Sequence, residues 1–302
     1  MTIAITGGTG FVGQATLDVH EARSIAVRAL ARNAPDDRPA MDWITGNLSN
    51  FAALDRLVEG ADAVIHIAGL TNSVNPDDFE AANVTGTRAM IDAARRAGTQ
   101  RFIFISSLSA REPQLSAYGA SKARAEELVV ASDLDWTIVR PPAVYGPRDK
   151  DMFELFRAAR YGLVPLPPAG RTSLIHVQDL AELLAALART DQKISGQVFE
   201  PDDGRRNGWE HREMAQIIGA AMGKTVWAPH MPAALLHGAA KIDRLLRGKN
   251  AKLTPDRANY MVHPDWVVNP DNAVPASLWQ PRLPSSAGMK NTAQWYHQQG
   301  WL

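Results

Sequence analysis

Short apolar runs alternate with segments of helical periodicity through the first two hundred residues of the chain. The runs rich in β-branched and aromatic residues predict strands at Ile3–Thr6, Ile25–Leu30, Trp43–Thr45, Ala63–Ile67, Phe102–Ser106, Thr137–Arg140 and Val198–Glu200. The segments between them predict helices near Gln14–Glu21, Phe51–Glu59, Asp77–Ala97, Ala117–Ala131 and Asp179–Ala188. Strands alternating with helices indicate an α/β fold with a doubly wound parallel sheet. The unbroken apolar run Phe102–Ile105 is typical of a strand covered on both faces.

Composition narrows the class of protein. The 302 residues contain 32 Lys+Arg against 32 Asp+Glu, so the chain has no net charge to drive nucleic-acid binding. The absence of Cys excludes disulfides, thiolate metal sites and cysteine nucleophiles. The first residues do not resemble a signal peptide, and no stretch of 18 apolar residues would span a membrane. We therefore expect a cytoplasmic protein with a small-molecule substrate, no nucleic-acid partner and no integral membrane segment.

A glycine-rich loop follows the first predicted strand. Gly7, Gly10 and Gly13, with Phe11 and Val12 between them, stand where this strand leads into a helix. In that context glycines let the backbone approach a pyrophosphate, and the start of the helix supplies free N–H groups. The loop therefore predicts a dinucleotide site of the Rossmann type.

The end of the second predicted strand bears on the choice of cofactor. A carboxylate there would bind the ribose 2′-hydroxyl of NAD, whereas an arginine accommodates the 2′-phosphate of NADP. The segment Val27–Asn33 has no carboxylate but contains Arg32, with Arg28 as a second candidate. Unless both are simply solvated surface arginines, the sequence favours NADP over NAD.

A tyrosine and a lysine share one helix face after the strand Phe102–Ser106. Only Tyr118 among the five tyrosines has a lysine four residues later, Lys122. A nearby ammonium and an oxidised nicotinamide would lower the pKa of the phenol toward its working range. Ser106 and Ser107 place hydroxyls at the same sheet edge. The pattern predicts alcohol–ketone chemistry by hydride transfer, with no metal.

At this point the chain resembles the extended short-chain dehydrogenases/reductases, a superfamily that includes epimerases and dehydratases. The resemblance covers residues 1–200 and rests on ordered motifs: Thr6–Gly13, His66–Gly69, Asn83–Thr87, Ser106–Ser107, Tyr118 with Lys122, Arg140–Pro147 and Ile175–Asp179. It implies Tyr118 as general acid/base, Lys122 as ribose anchor, and Ser107 as the hydrogen-bond partner of the reacting oxygen, with Ser106 as the alternative. It also implies that Asn83 supports a proton-relay water or the active-site backbone.

The same resemblance implies the rest of the cofactor site. Ala68 and Gly69 would line the adenosine side, and Pro141 and Val144 would flank the nicotinamide. Asn47 and Leu48 stand where the family usually has an acidic residue near the adenine. Leu108-Ser109, directly after Ser107, lacks the acidic residue of sugar-nucleotide dehydratases and so argues against dehydration. Two alternatives stay open: a nucleotide-sugar epimerase with bound NAD, and a non-catalytic dinucleotide-binding subunit or regulator.

The last hundred residues differ in character. Six of the eight Trp lie in 201–302, prolines are frequent, and the strand–helix alternation stops. We predict a dinucleotide-binding domain over 1–145 and 173–200, and a smaller, mostly helical substrate-binding part over 146–172 and 201–302. The run Lys241–Arg257 has six basic and two acidic residues. It favours a packed helix with a solvated basic face over one that touches a membrane or a partner. Whether the chain forms a homodimer is left open.

Overall fold

A seven-stranded parallel sheet forms the centre of the computed structural model, which describes residues 1–189 and 194–302. The strands are β1 Thr2–Thr6, β2 Ala26–Ala31, β3 Asp42–Thr45, β4 Ala63–His66, β5 Arg101–Ile105, β6 Asp135–Val139, β7 Ala143–Tyr145, β8 Arg171–Thr172, β9 Leu174–His176, β10 Gln197–Phe199, β11 Trp209–Glu210 and β12 Asp265–Trp266. The helices are α1 Phe11–Ala22, α2 Phe51–Val58, α3 Pro76–Phe79, α4 Gly86–Ala97, α5 Ala117–Val130, α6 Phe153–Ala159, α7 Val177–Arg189, α8 His211–Ala221, α9 Ala233–Arg247, α10 Pro255–Met261 and α11 Ser285–Gln298.

The order of the large sheet is β10-β6-β5-β4-β1-β2-β3, and every neighbouring pair is parallel. The chain winds outward from β1 to β3, then returns to the other side of β1 to form β4. This reversal creates a crevice at the carboxyl ends of β1 and β4, where open α/β sheets bind their ligands. The predicted doubly wound fold is confirmed, and each predicted strand is present within one or two residues.

Helices cover both faces of this sheet. Ile3 and Ile5 of β1 point to the side of α1 and α7, where they pack with Leu17 and Leu180. Ala4, between them, points to the opposite side, which α2, α4 and α5 cover. Alternate residues of β1 are thus buried on opposite faces, which explains why its sequence is apolar without a polar face.

The region after β10 is mostly helical, with short strands. A small sheet of order β11-β8-β12 joins Arg171–Thr172 to this region. Tyr296 of α11 and Trp301 at the chain end stack on each other, and both meet the ring of Phe153 of α6 edge to face. Most tryptophans here are therefore packing residues. In the part of the chain that the structure describes, no helix is long and apolar enough to cross a membrane.

Candidate active site

The glycine loop closes tightly between β1 and α1. Gly7 has a φ of +76°, and a Cβ atom there would lie 2.7 Å from the Ala68 nitrogen. A Cβ atom on Gly13 would lie 2.0 Å from the Gly7 oxygen, so only glycine lets α1 pack on the loop. Gly10, by contrast, is exposed and precedes α1 without a side-chain cap. The N–H groups of the first turn of α1, which includes Phe11 and Val12, are therefore left for a ligand.

The two arginines of the β2 region have different surroundings. Arg28 lies within β2, where its guanidinium bonds to Asp42 at 2.9 Å and to the backbone oxygens of Arg56 and Glu59. It is committed to holding β3 and the end of α2. Arg32 directly follows β2 at the carboxyl edge, is exposed, and makes no ion pair within the described ranges. Of the two candidates, only Arg32 is placed to meet a 2′-phosphate.

The residues that the resemblance assigns to the adenosine side follow the ends of β3 and β4. Asn47 accepts bonds on Oδ1 from the Ser49 backbone nitrogen and hydroxyl, which leaves its amide nitrogen to donate. Leu48 packs so closely on the start of α4 that a Cβ atom on Gly86 would lie 2.5 Å from it. Ala68, after β4, donates its N–H to the Thr6 hydroxyl and contacts the glycine loop.

Asn83 is a backbone clamp in this structure. It is buried in a π-helical segment, Glu80–Thr85, that interrupts the helix between α3 and α4. Its side chain accepts the Leu70 N–H at 2.7 Å and donates to the Leu70 oxygen at 3.0 Å and to the Ser121 hydroxyl at 2.8 Å. Of the two roles that the resemblance implies, the contacts fit support of the active-site backbone.

A buried histidine connects this clamp to the glycine loop. His66, at the end of β4, bonds to the Thr6 hydroxyl at 2.7 Å and to the Thr87 hydroxyl at 3.0 Å. The Thr87 hydroxyl donates to the backbone oxygen of Asn83. Burial lowers the pKa of His66 to about 3, so the ring is neutral at neutral pH. The sequence motif contained His66, but nothing in the sequence indicated this network.

Tyr118 and Ser107 meet beyond the end of β5. Ser107 caps a short 3-10 segment, Leu108–Arg111, and Tyr118 lies in the first turn of α5. Burial raises the pKa of Tyr118 to about 12, and the hydrogen bond with the Ser107 side chain acts in the opposite direction. The buried Ser106 hydroxyl has no partner among the described residues. The Ser107 hydroxyl donates to that of Ser109 at 3.2 Å and, of the two serines, is the one that acts on the pKa of the phenol.

Lys122 lies one helical turn after Tyr118 on α5. Its ammonium donates to the Ile105 oxygen at 2.6 Å and lies 4.7 Å from the centre of the Phe104 ring. Burial lowers its own pKa to about 8. The ammonium also lies beside Gly69, since a Cβ atom there would be 3.6 Å from Nζ and 2.9 Å from the Asn83 oxygen. This side of the crevice therefore has room only for a glycine.

Helix α10 supplies two residues at the site that the sequence did not indicate. The carboxylate of Asp256 accepts the N–H groups of Ala117 at 2.5 Å and Tyr118 at 3.4 Å, so it caps α5 together with Ser116. The ring of Tyr260 lies 6.5 Å from that of Tyr118. Because Asp256 is 138 residues from Tyr118 along the chain, no local pattern could have linked them.

Pro141 and Val144 lie on the remaining side. The Pro141 oxygen accepts the N–H of Leu108, which fixes the 3-10 segment that begins after Ser107. Val144, on β7, packs with Val12 of α1. These contacts join the segment after β6 to the glycine loop, where the resemblance placed the nicotinamide.

The residues present fit a nicotinamide dinucleotide. The exposed Gly10 edge and the uncapped start of α1 suit a pyrophosphate, and Gly7 and Gly69 lie too close to the Ala68 backbone and the Asn83 side chain for any other residue. Tyr118 and Lys122 share the carboxyl edge of the sheet with this loop. Fold and site together define an NAD(P)-dependent enzyme of the short-chain dehydrogenase/reductase type.

Comparison with known proteins agrees with this class. Residues 3–200 match the model of the NAD dependent epimerase/dehydratase family, and the chain belongs to that family. A ceramide reductase of Caulobacter vibrioides is 38% identical, over 99% of this chain and 96% of its own. A ketoreductase of Stigmatella aurantiaca, named for 4-hydroxy-2-methyl-3-oxo-4-farnesyl-3,4-dihydroquinoline-1-oxide, is 31% identical, over 68% of this chain and 69% of its own.

Solved structures show the same fold. The crystal structure of gox2253 superposes with a TM-score of 0.79 at 22% identity, covering 99% of this chain and 98% of its own. The UDP-glucose 4-epimerase of Thermus thermophilus, solved with NAD, superposes with a TM-score of 0.74 at 19% identity, covering 98% of this chain and 99% of its own.

Proposed function

We propose that this enzyme reduces a ketone on a lipid-like substrate to an alcohol, with Tyr118 as the proton donor. The observation that carries the proposal is the placement of Tyr118 and Lys122 one helical turn apart on α5, at the sheet edge that also bears the glycine loop. With its pKa raised to about 12 by burial, the phenol holds its proton at neutral pH. A protonated phenol suits the reductive direction, in which the oxygen of the carbonyl must gain a proton. Oxidation of an alcohol would instead require the phenolate.

Three further residues of the chain would position the substrate, the cofactor and the backbone for this reaction. When bound, the nicotinamide supplies the hydride. Ser107, whose side chain acts on the pKa of the phenol, would hold the substrate oxygen beside Tyr118. Lys122 offers a buried ammonium to the ribose hydroxyls and to the negative charge that grows as the phenol gives up its proton. Asn83 keeps the backbone at Leu70 in place beside them.

The substrate class rests on the relatives. The ceramide reductase and the farnesyl-bearing ketoreductase are both named for substrates with long apolar portions, and the first aligns along nearly the whole chain. We therefore assign to this chain a ketone joined to a long hydrocarbon chain, such as a ceramide-type amide lipid.

The test of this function is net turnover. Purified protein with a ceramide-type ketone in detergent should consume the reduced cofactor in one-to-one proportion to alcohol formed. A water-miscible short-chain ketone, used in parallel, removes delivery of the lipid as a variable. Interconversion of a nucleotide sugar with no net change in cofactor would instead establish the epimerase alternative. Absence of any turnover, with the protein bound in a larger complex, would establish the non-catalytic one.

For the cofactor, we infer a preference for NADPH that depends on Arg32. An arginine–phosphate contact contributes about 1.5–3 kcal/mol, or roughly 10- to 150-fold in affinity. Arg32→Glu should weaken NADPH binding by about that factor and leave NADH binding equal or stronger. Tryptophan fluorescence titration measures both constants, and the exposed Arg212→Glu on α8 is the charge control. Equal loss of both cofactors, or of neither, would contradict this assignment.

A further inference from the structure

Helix α9 exposes large aliphatic side chains to solvent. Leu235, Ile242, Leu245 and Leu246 are 64%, 59%, 84% and 78% exposed. Their spacing of three, four and seven residues places them on one face of the helix. Only Leu236 and Ala240 of α9 are buried, in a small cluster with Ala258 of α10. The helix therefore packs through a narrow inner face, and its outer face is apolar. The sequence had favoured a solvated basic face here.

The second half of α9 and the segment after it carry a local excess of positive charge. The run Lys241–Arg257 holds six basic residues and two acidic ones. Both acidic groups are turned inward: Asp243 accepts the N–H groups of Lys252 and Leu253, and Asp256 caps α5. Within the described ranges, no acidic group pairs with Lys241, Arg244 or Lys249. Because the chain as a whole is neutral, this excess is local.

We propose that the outer face of α9 binds the surface of an anionic phospholipid membrane. The exposed aliphatic side chains match the acyl layer of such a surface, and the exposed Lys241, Arg244 and Lys249 near the same end of the helix match its anionic headgroups. The segment that leads into α9 adds an exposed tryptophan, Trp227, which pairs by a β-bridge with Leu163. Tryptophan favours the headgroup layer because its ring is apolar and its N–H is polar.

The location of α9 connects this surface to the active site. Its inner face packs on α10, and α10 carries Asp256 and Tyr260, which contact the start of α5 and the ring of Tyr118. A membrane against α9 would thus lie one helix layer from the catalytic phenol. That arrangement suits an enzyme whose substrate resides in the membrane, although binding itself does not depend on the proposed reaction.

Vesicle co-sedimentation without substrate or cofactor tests the proposal. The full-length protein should sediment with equimolar phosphatidylglycerol/phosphatidylcholine vesicles and much less with phosphatidylcholine alone. The double substitutions Leu245→Ser/Leu246→Ser and Lys241→Glu/Arg244→Glu should each reduce binding roughly tenfold or more. Val130→Ser on α5 and Arg88→Glu on α4, which alter an exposed apolar and an exposed basic residue elsewhere, should leave it unchanged.

Three results would overturn the proposal: no binding by the wild type, equal binding to both vesicle types, or a dimer in sedimentation velocity that Leu245→Ser/Leu246→Ser dissociates. The last would show that a second copy covers this face. Turnover of the water-miscible ketone by each variant separates the two proposals. A variant that loses vesicle binding but keeps turnover shows that α9 binds the membrane without taking part in the reaction. A wild type that binds vesicles but has no turnover refutes only the ketoreductase proposal.

Discussion

At the scale of single residues, burial sets the charge states of the site. The same surroundings raise the pKa of Tyr118 and lower that of Lys122, and each shift favours the neutral form. A neutral phenol is ready to donate a proton. Lys122, by contrast, still carries its charge at pH 7, because its lowered pKa of about 8 lies above that pH. Keeping this charge buried costs free energy. The lysine therefore lowers the stability of the fold to serve the site.

Replacing Lys122 by methionine should raise the free energy of unfolding at pH 7 while abolishing turnover. The folded-state pKa is about 8 against 10.5 for the free side chain, so at pH 7 both states are charged and the folded state bears the full penalty. Removing it should stabilise the protein by roughly 1–3 kcal/mol, less whatever the lost hydrogen bond to Ile105 contributed.

The pH dependence of that gain checks its cause. As pH rises from 8 to 10.5, the folded wild type releases its proton before the unfolded chain does, so its stability recovers and the advantage of Lys122→Met should shrink. Urea unfolding of both proteins at pH 7 and near pH 10 measures this, with Lys122→Arg as the charge-retaining control. A methionine variant less stable than wild type at pH 7 would show that the lysine contributes to the fold.

At the scale of elements, sequence patterns predicted most of the molecule. The central strands were identified because strands buried on both faces are apolar throughout, as in Phe102–Ile105. The π-helical segment Glu80–Thr85 was not predicted, since its sequence has no feature distinct from an ordinary helix. Yet that segment carries Asn83, whose contacts with Leu70 differ from the water-relay role that the resemblance also allowed.

Contacts between elements far apart along the chain could not be predicted from the sequence. Tyr118 and Lys122 could be paired because they share one helix, but the direction of the lysine side chain depends on the Ile105 oxygen at the end of β5. In the same way, Asp256 on α10 caps α5 across a long stretch of chain. The sequence could therefore pair residues that share one helix, but it could not predict which distant residues would pack against them.

At the scale of the whole molecule, the chain joins a family-typical sheet to a helical region with its own outer surface. The crevice between β1 and β4, with Gly7, Gly10 and Gly13 at its edge, follows from sheet topology. Helix α10 packs beside the phenol through Tyr260, and α9, which packs on α10, presents leucines outward. The division into dinucleotide-binding and substrate-binding parts remains a prediction. It would make the second part the source of the lipid specificity that we propose.

The most direct test of the account is the rate of ketone reduction by Tyr118→Phe, measured on the water-miscible ketone beside Tyr260→Phe. Loss of a general acid lowers the rate by about 10²–10⁴-fold. We predict a loss in that range for Tyr118→Phe, with cofactor affinity within a few fold of wild type, and a much smaller loss for Tyr260→Phe, whose ring is the neighbour of Tyr118. Wild-type rates in Tyr118→Phe would contradict the assignment of the proton donor and, with it, the proposed mechanism.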